Sequence, residues 1–174
     1  HEALATAEYD RLFGARNQWV LGIAASRTGQ LESALDCLER ARDIFAELGV
    51  VEPGMLLFAP DLIEAYVTAG RLDEADEFSA AFERQGAVLG RPRACAIGAR
   101  GRGLVLAAKG ELDAAQAAFD DALGVDETWR VPLERGRTLL ALGAVERRAR
   151  HLKQARATLG QALEAARKTH FARV

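Results

Sequence analysis

Residues that could do chemistry are few in this chain and scattered along it. The histidines, His1, His151 and His170, fall at one terminus, a turn and the far end, and no two stand at helical spacing. No His-Glu-x-x-His stretch and no Ser/His/Asp or Cys/His set stands out. Cys37 and Cys95 have no metal-ligand neighbour at Cys-x-x-Cys spacing. Two cysteines are too few for a disulfide framework, so both are expected as reduced thiols in a cytosolic protein. Gly98-Ala99-Arg100-Gly101-Arg102-Gly103 is the one glycine-rich run. Its spacing is not that of a phosphate loop and no strand precedes it. Inside a helical pattern it reads as a helix thinned for close packing, with a flexible basic helix near a ligand as the alternative. Asp120-Asp121 and Asp126-Glu127 read as solvated surface near a helix end. Catalysis is therefore not expected, and the sequence asks for neither a cofactor nor a metal. What remains is a supply of arginine, whose planar fork of donors fits carboxylates and phosphates. The question becomes which elements carry the arginines.

Those elements repeat. Gly29-Gln30-Leu31 leads to Ala34 and Leu38, and Gly70-Arg71-Leu72 to Ala75 and Ser79. Gly110-Glu111-Leu112 leads to Ala115 and Phe119, and Arg150-His151-Leu152 to Ala155 and Leu159. The successive alanines are 41, 40 and 40 residues apart, and Pro53, Pro92 and Pro132 step by 39 and 40. Two kinds of punctuation with one period predict stacked helical hairpins. Glycine closes the first helix of each pair because it enters the left-handed conformation at little cost. Proline marks the loops between pairs. Leu31, Ala34, Leu35, Leu38, Ala41, Phe45 and Leu48 keep the three-to-four spacing of one buried face. Hairpins are expected over 11–49, 55–90, 93–124 and 132–168 of a single domain spanning 1–174. Residues 1–12, set off by Gly14, read as the end of a preceding repeat, and 124–130 as a loop. Pro60 is expected in the first turn of its helix, where a missing N–H costs nothing.

The bulk numbers agree with a packed helical chain. Hydrophobic residues are 49% and charged ones 28%, which is not the balance of a disordered segment. Aromatics are only 6%, so the core is expected to rest on small residues. A net charge of −2 argues against a nucleic-acid polycation. No apolar run reaches the roughly 18 residues of a membrane helix, and no signal peptide is visible, so a cytoplasmic protein without a membrane role is expected. His1 in place of Met reads as a tag remnant, with the chain a part of something longer.

The repeat resembles the tetratricopeptide repeat. Gly22, Gly103 and Gly143 each lie seven residues before a turn position, opposite the sets Ala34-Leu38-Ala41, Ala115-Phe119-Ala122 and Ala155-Leu159-Ala162. Small residues at such points let two helix axes come close enough for their ridges to interdigitate. The chain departs from the family in its period, in Ile63, Ser79 and Phe82 of the second repeat, and in Arg150 at the last turn. HEAT repeats share the longer period and stand as the alternative. The resemblance implies an all-α, right-handed superhelix of about four antiparallel hairpins whose first helices line a concave face. That register turns Arg16, Trp19, Ile23 and Arg27 inward from the first repeat, and Glu64, Val67 and Thr68 from the second. The third supplies Ile97, Arg100 and Leu104, and the fourth Arg137, Leu140, Arg147 and Arg148. Six arginines then face one carboxylate across a groove that focuses their field. Such a groove would take an acidic peptide, an anionic small molecule or an acidic patch of a partner; the alternative is that several of these arginines are merely solvated.

A narrower resemblance covers residues 132–165. Leu133-Glu134-Arg135-Gly136-Arg137-Thr138-Leu139-Leu140-Ala141-Leu142-Gly143 is followed by Glu146-Arg147-Arg148-Ala149-Arg150, then by Ala155-Arg156 and Leu159 to Ala162. This resembles the last repeat of large LuxR-type transcriptional regulators of the MalT-like class. The resemblance implies the regulatory segment between a P-loop ATPase and a helix-turn-helix, binding an inducer or a protein partner and mediating self-association. Neither flanking element occurs in this chain, so DNA would be met only through a domain absent from it. Leu152, Ala155, Leu159, Ala162, Leu163 and Ala166 form an apolar face suited to homo-oligomerisation, because a cut solenoid leaves one face bare. The competing function is a stand-alone scaffold or adaptor that holds an acidic peptide in its groove.

Overall fold

The structure is a computed structural model that describes the backbone of residues 2–129 and 132–171, and the side chains of residues 8–125 and 132–167. Among the described residues there are eight helices and no strand. In order they are α1 (Glu2–Arg27), α2 (Leu31–Glu47), α3 (Ala59–Thr68), α4 (Leu72–Val88), α5 (Pro92–Lys109), α6 (Leu112–Trp129), α7 (Pro132–Arg148) and α8 (Leu152–Phe171). The all-α hairpin architecture expected from the repeat is the one adopted. The chain divides into two compact units, His1–Arg71 with α1 to α3 and Leu72–Val174 with α4 to α8. The helices of the expected 55–90 hairpin therefore belong to different units.

The turns are built as the glycine spacing predicts. Gly29, Gly70 and Gly110 have φ of 77°, 75° and 86°. At the last turn Arg150 takes φ of 62°, and no other non-glycine described here has positive φ. Its hydrogen bonding matches that at Gly110. The Glu111 N–H donates to the Leu106 carbonyl at 2.9 Å, and the His151 N–H to the Glu146 carbonyl at 2.9 Å. This is the six-to-one bond of a Schellman close. Arginine thus holds a conformation that its Cβ makes costly.

Three boundaries differ from the sequence reading. Helix α1 runs unbroken through Gly14, so residues 2–12 are not a separate helix. One interior glycine costs about 1 kcal/mol, which a long run of helix formers on both sides outweighs. Helix α6 continues through Gly124 to Trp129, where a loop was expected, for the same reason; Arg130 lies outside the described residues. Helix α3 begins at Ala59 rather than near 55, after a turn at 53–58. Pro60 sits in its first turn, as expected.

Packing follows the small-residue positions. A Cβ built on Gly22 would lie 2.7 Å from Leu38 Cγ. On Gly103 it would lie 2.9 Å from the Phe119 ring, and on Gly143 2.7 Å from Leu159. Each glycine admits the large residue that stands between the two alanines of its partner helix's set. The Gly98–Gly103 run is explained by the same need on two sides. Toward α4, a Cβ on Gly98 would lie 2.5 Å from Glu83 Cβ and 2.8 Å from the Ser79 carbonyl. Toward α6, Gly103 receives Phe119. Arg102 then bridges the same pair of neighbours, donating to Glu83 Oε1 and Asp121 Oδ2, both at 3.3 Å. Ala107, Ala115, Phe119, Leu142 and Val145 form the core that joins α5, α6 and α7.

Candidate functional site

In the second unit the main polar feature is a buried ion cluster. Glu134 and Arg100 are 0% and 2% exposed. Arg100 NH1 lies 2.9 Å from Glu134 Oε2, and Arg93 NH2 lies 2.9 Å from Oε1. Arg93 and Arg100 are two helical turns apart on one face of α5, so one carboxylate on α7 can receive both. The buried Thr138 hydroxyl donates to the Glu134 carbonyl one turn back at 2.9 Å, which satisfies it within α7. Burying ions is expensive, and the Arg100 contact with the Glu134 carboxylate, shared with Arg93, offsets that cost. The cluster ties α5 to α7.

The first unit contains an open cleft. The face of α1 that carries Tyr9, Leu12, Phe13, Arg16 and Trp19 at helical spacing meets Phe45 of α2 and the 54–58 segment. The volume enclosed is about 330 Å³. Phe45 and Phe58 stack as its buried back wall, with ring centroids 5.6 Å apart. Tyr9 and Phe13 make the exposed rim, their centroids 4.8 Å apart. Trp19 Nε1 donates to Asp61 Oδ2 at 2.8 Å, which fixes the indole from α3. Five of the chain's eleven aromatic residues and its single methionine, Met55, line this cleft. Arg16 is the one charged residue among them.

No family model matches the chain, and no curated protein does. Among solved structures the chain is similar to the crystal structure of BtubC (BKLC) from P. vanneervenii, with a TM-score of 0.62 and 19% identity over 90% of this chain. The chain spans 64% of the length of that one. At this identity the likeness is one of fold alone.

The residues expected to line one groove occupy different settings. Arg16 and Trp19 come together in the first cleft. Arg27 ends α1 and is exposed, outside that cleft; Glu64 is half-buried on α3, where its carbonyl accepts from Thr68 Oγ at 2.7 Å. Arg100 is the clear correction. It is not presented to a ligand, because Glu134 holds it inside the second unit. Arg137 and Leu140 line a shallower apolar depression between α7 and α8, with Leu133, Leu159 and Leu163. Arg147 and Arg148 are exposed in the last turn of α7. Within the second unit the expected groove arginines therefore share no site.

Another cluster escaped the sequence reading. Tyr66, 1% exposed, donates its hydroxyl to Glu39 Oε1 at 2.9 Å and accepts from Arg42 at 2.6 Å. Arg71 donates to the same Glu39 oxygen at 2.8 Å and lies 4.7 Å over the Tyr66 ring. Burial first, and then the bond to Glu39, push the Tyr66 phenol up to about 12. The members come from α2, α3 and the turn after it, so the network locks α3 onto α2. Cys37 and Cys95 are free thiols in separate units. Burial pushes the Cys95 thiol upward, away from the reactive thiolate.

Proposed function

We propose that the chain is a non-catalytic binding region: the regulatory segment of a LuxR-type transcriptional regulator, which takes up an inducer or a protein partner and couples uptake to self-association. The observation that carries the binding part is the aromatic cleft of the first unit. A preformed, mostly apolar concavity with one placed charge is the ordinary form of a ligand site. Support for the regulator part is the resemblance of residues 132–165 to the last repeat of that class. Leu152 and Leu163, exposed on α8, supply apolar area for self-association. DNA would be met through a domain outside this chain, and the reading places the protein in the cytoplasm. No described helix is long and apolar enough to cross a membrane. A second reading, a scaffold or adaptor for acidic peptides, draws on the exposed Arg27, Arg147 and Arg148, but it loses Arg100 as a contact.

The test uses transcription from a reporter driven by the full-length protein. Phe13→Asp, which places a charge at the rim of the cleft, is expected to abolish the response to inducer while DNA occupancy persists. An unaltered response, or a full-length sequence without a helix-turn-helix, sinks the regulator reading.

A further inference from the structure

We infer that the first-unit cleft selects a small amphipathic anion, an aromatic or branched aliphatic body ending in a carboxylate. The inference rests on the cleft being the binding site and goes further in naming the ligand's chemistry. Size comes first. A cavity of about 330 Å³ lies at the small-molecule end of the range known for ligand sites, roughly 300–1,000 Å³. The walls come second. Phe45 and Phe58 offer a stacked, buried surface, Trp19 a face held in place by Asp61, and Met55 an adaptable flank. Apolar bodies are buried best on such a surface, and a ring gains further from offset or tilted aromatic contacts.

Charge decides the rest. An aromatic-lined cleft could also cage a cation, because ring faces attract positive charge. Cation cages need the absence of a competing positive charge, and here the single charged lining residue is Arg16. No carboxylate lines the cleft. Arg16 takes part in no ion pair among the described residues, and its neighbour Arg11, by contrast, is engaged by Glu47. Its position one turn from both Phe13 and Trp19 puts the guanidinium beside the aromatic walls. A ligand's carboxylate would meet it as a charge-assisted, forked pair while the body occupies the cleft.

The experiment is a titration of the whole chain carrying Trp129→Phe, which leaves Trp19 as its one indole. Indole fluorescence is followed against phenylbutyrate, phenylbutanol and phenylbutylammonium. Saturable quenching by phenylbutyrate is expected, with phenylbutanol about tenfold weaker and phenylbutylammonium weaker still. Tenfold corresponds to about 1.4 kcal/mol. In Arg16→Gln, a change at an exposed side chain that leaves the fold intact, acid and alcohol become equal. Equal binding of acid and alcohol by the unaltered chain, preference for the ammonium, or an acid preference that survives Arg16→Gln overturns the inference. No binding of any probe also overturns it. These outcomes are separable from the function above: if Phe13→Asp silences the reporter while no acid binds, the ligand class is wrong and the regulatory site stands. If the acid binds and the reporter ignores Phe13→Asp, the reverse holds.

Discussion

Two helices in this chain reach a helix one repeat further on through a polar side chain, and they do so in opposite ways. In the first unit Trp19 of α1 donates to Asp61 of α3, 42 residues on. In the second unit Arg93 of α5 donates to Glu134 of α7, 41 residues on, and Arg100 joins it. Trp19 and Arg100 hold the same register position, 10 residues before Gly29 and Gly110, but their acceptors Asp61 and Glu134 do not, so the repeat aligns the donors and not the whole link. The donors also differ in chemistry. A single neutral N–H fixes the indole edge and leaves its face for packing, and the surrounding aromatic side chains leave a cleft. Two guanidiniums share one buried carboxylate, Arg100 buried beside it and Arg93 partly exposed, and the three charges hold α5 to α7. One link positions a surface; the other is consumed in holding helices together.

The largest effect should come from breaking the charged link. Glu134→Ala leaves Arg100 buried without its partner, and loss of one member of a buried pair costs about 3–5 kcal/mol. Urea unfolding should show it. Trp19→Phe, at the indole link, should cost clearly less, and equal costs would erase the distinction drawn between the two links. Next is Gly103→Ala. Its methyl would stand 2.9 Å from the Phe119 ring, and overpacking of this kind costs about 1–3 kcal/mol. A neutral result would mean that α5 and α6 can move apart freely.

Tyr66→Phe tests the polar lock of the first unit. Loss of a buried hydroxyl with two partners should cost about 1–2 kcal/mol near neutral pH. It also carries a pH signature. The folded phenol titrates at about 12 against 10.0 for the unperturbed group, so the folded chain keeps a proton that the unfolded chain releases. This contribution is intact below about pH 10 and is lost as pH rises toward 12. The alkaline decline in stability should be shallower in Tyr66→Phe than in the unaltered chain. The smallest effect has the opposite sign. Arg150→Gly relieves a left-handed arginine and should stabilise by about 0.5–1 kcal/mol, read as a raised thermal midpoint.

The comparison also separates what the sequence makes legible from what it hides. Turn glycines, the small residues under Leu38, Phe119 and Leu159, and the first-turn Pro60 follow from backbone and packing rules that act locally, and they are readable. Arg100 misled because a register says which face a residue occupies, not whether a carboxylate of the next repeat will meet it. A signal existed: Arg93 and Arg100 share a face of α5, and Glu134 stands one period beyond Arg93. The cleft was obscured by Gly14. Reading that glycine as a break discards Tyr9, Leu12 and Phe13, although their spacing continues directly into Arg16 and Trp19. The segment that resembles LuxR-type regulators is largely packing machinery. Glu134 pairs with Arg100, the buried Thr138 hydroxyl donates back to the Glu134 carbonyl of its own helix, Leu139 and Leu142 are buried, and Gly143 admits Leu159. The residues that carry the resemblance are thus residues that build the repeat.

The division of labour between the two links can be read in one measurement, amide hydrogen exchange of the whole chain with and without saturating phenylbutyrate. Protection is expected to rise in residues 9–19 and 54–58, which frame the aromatic cleft, and to stay unchanged in residues 93–100 and 132–139, which carry the ion cluster. Protection gained only around the ion cluster, or nowhere along the chain, would contradict the assignment of binding to the first unit.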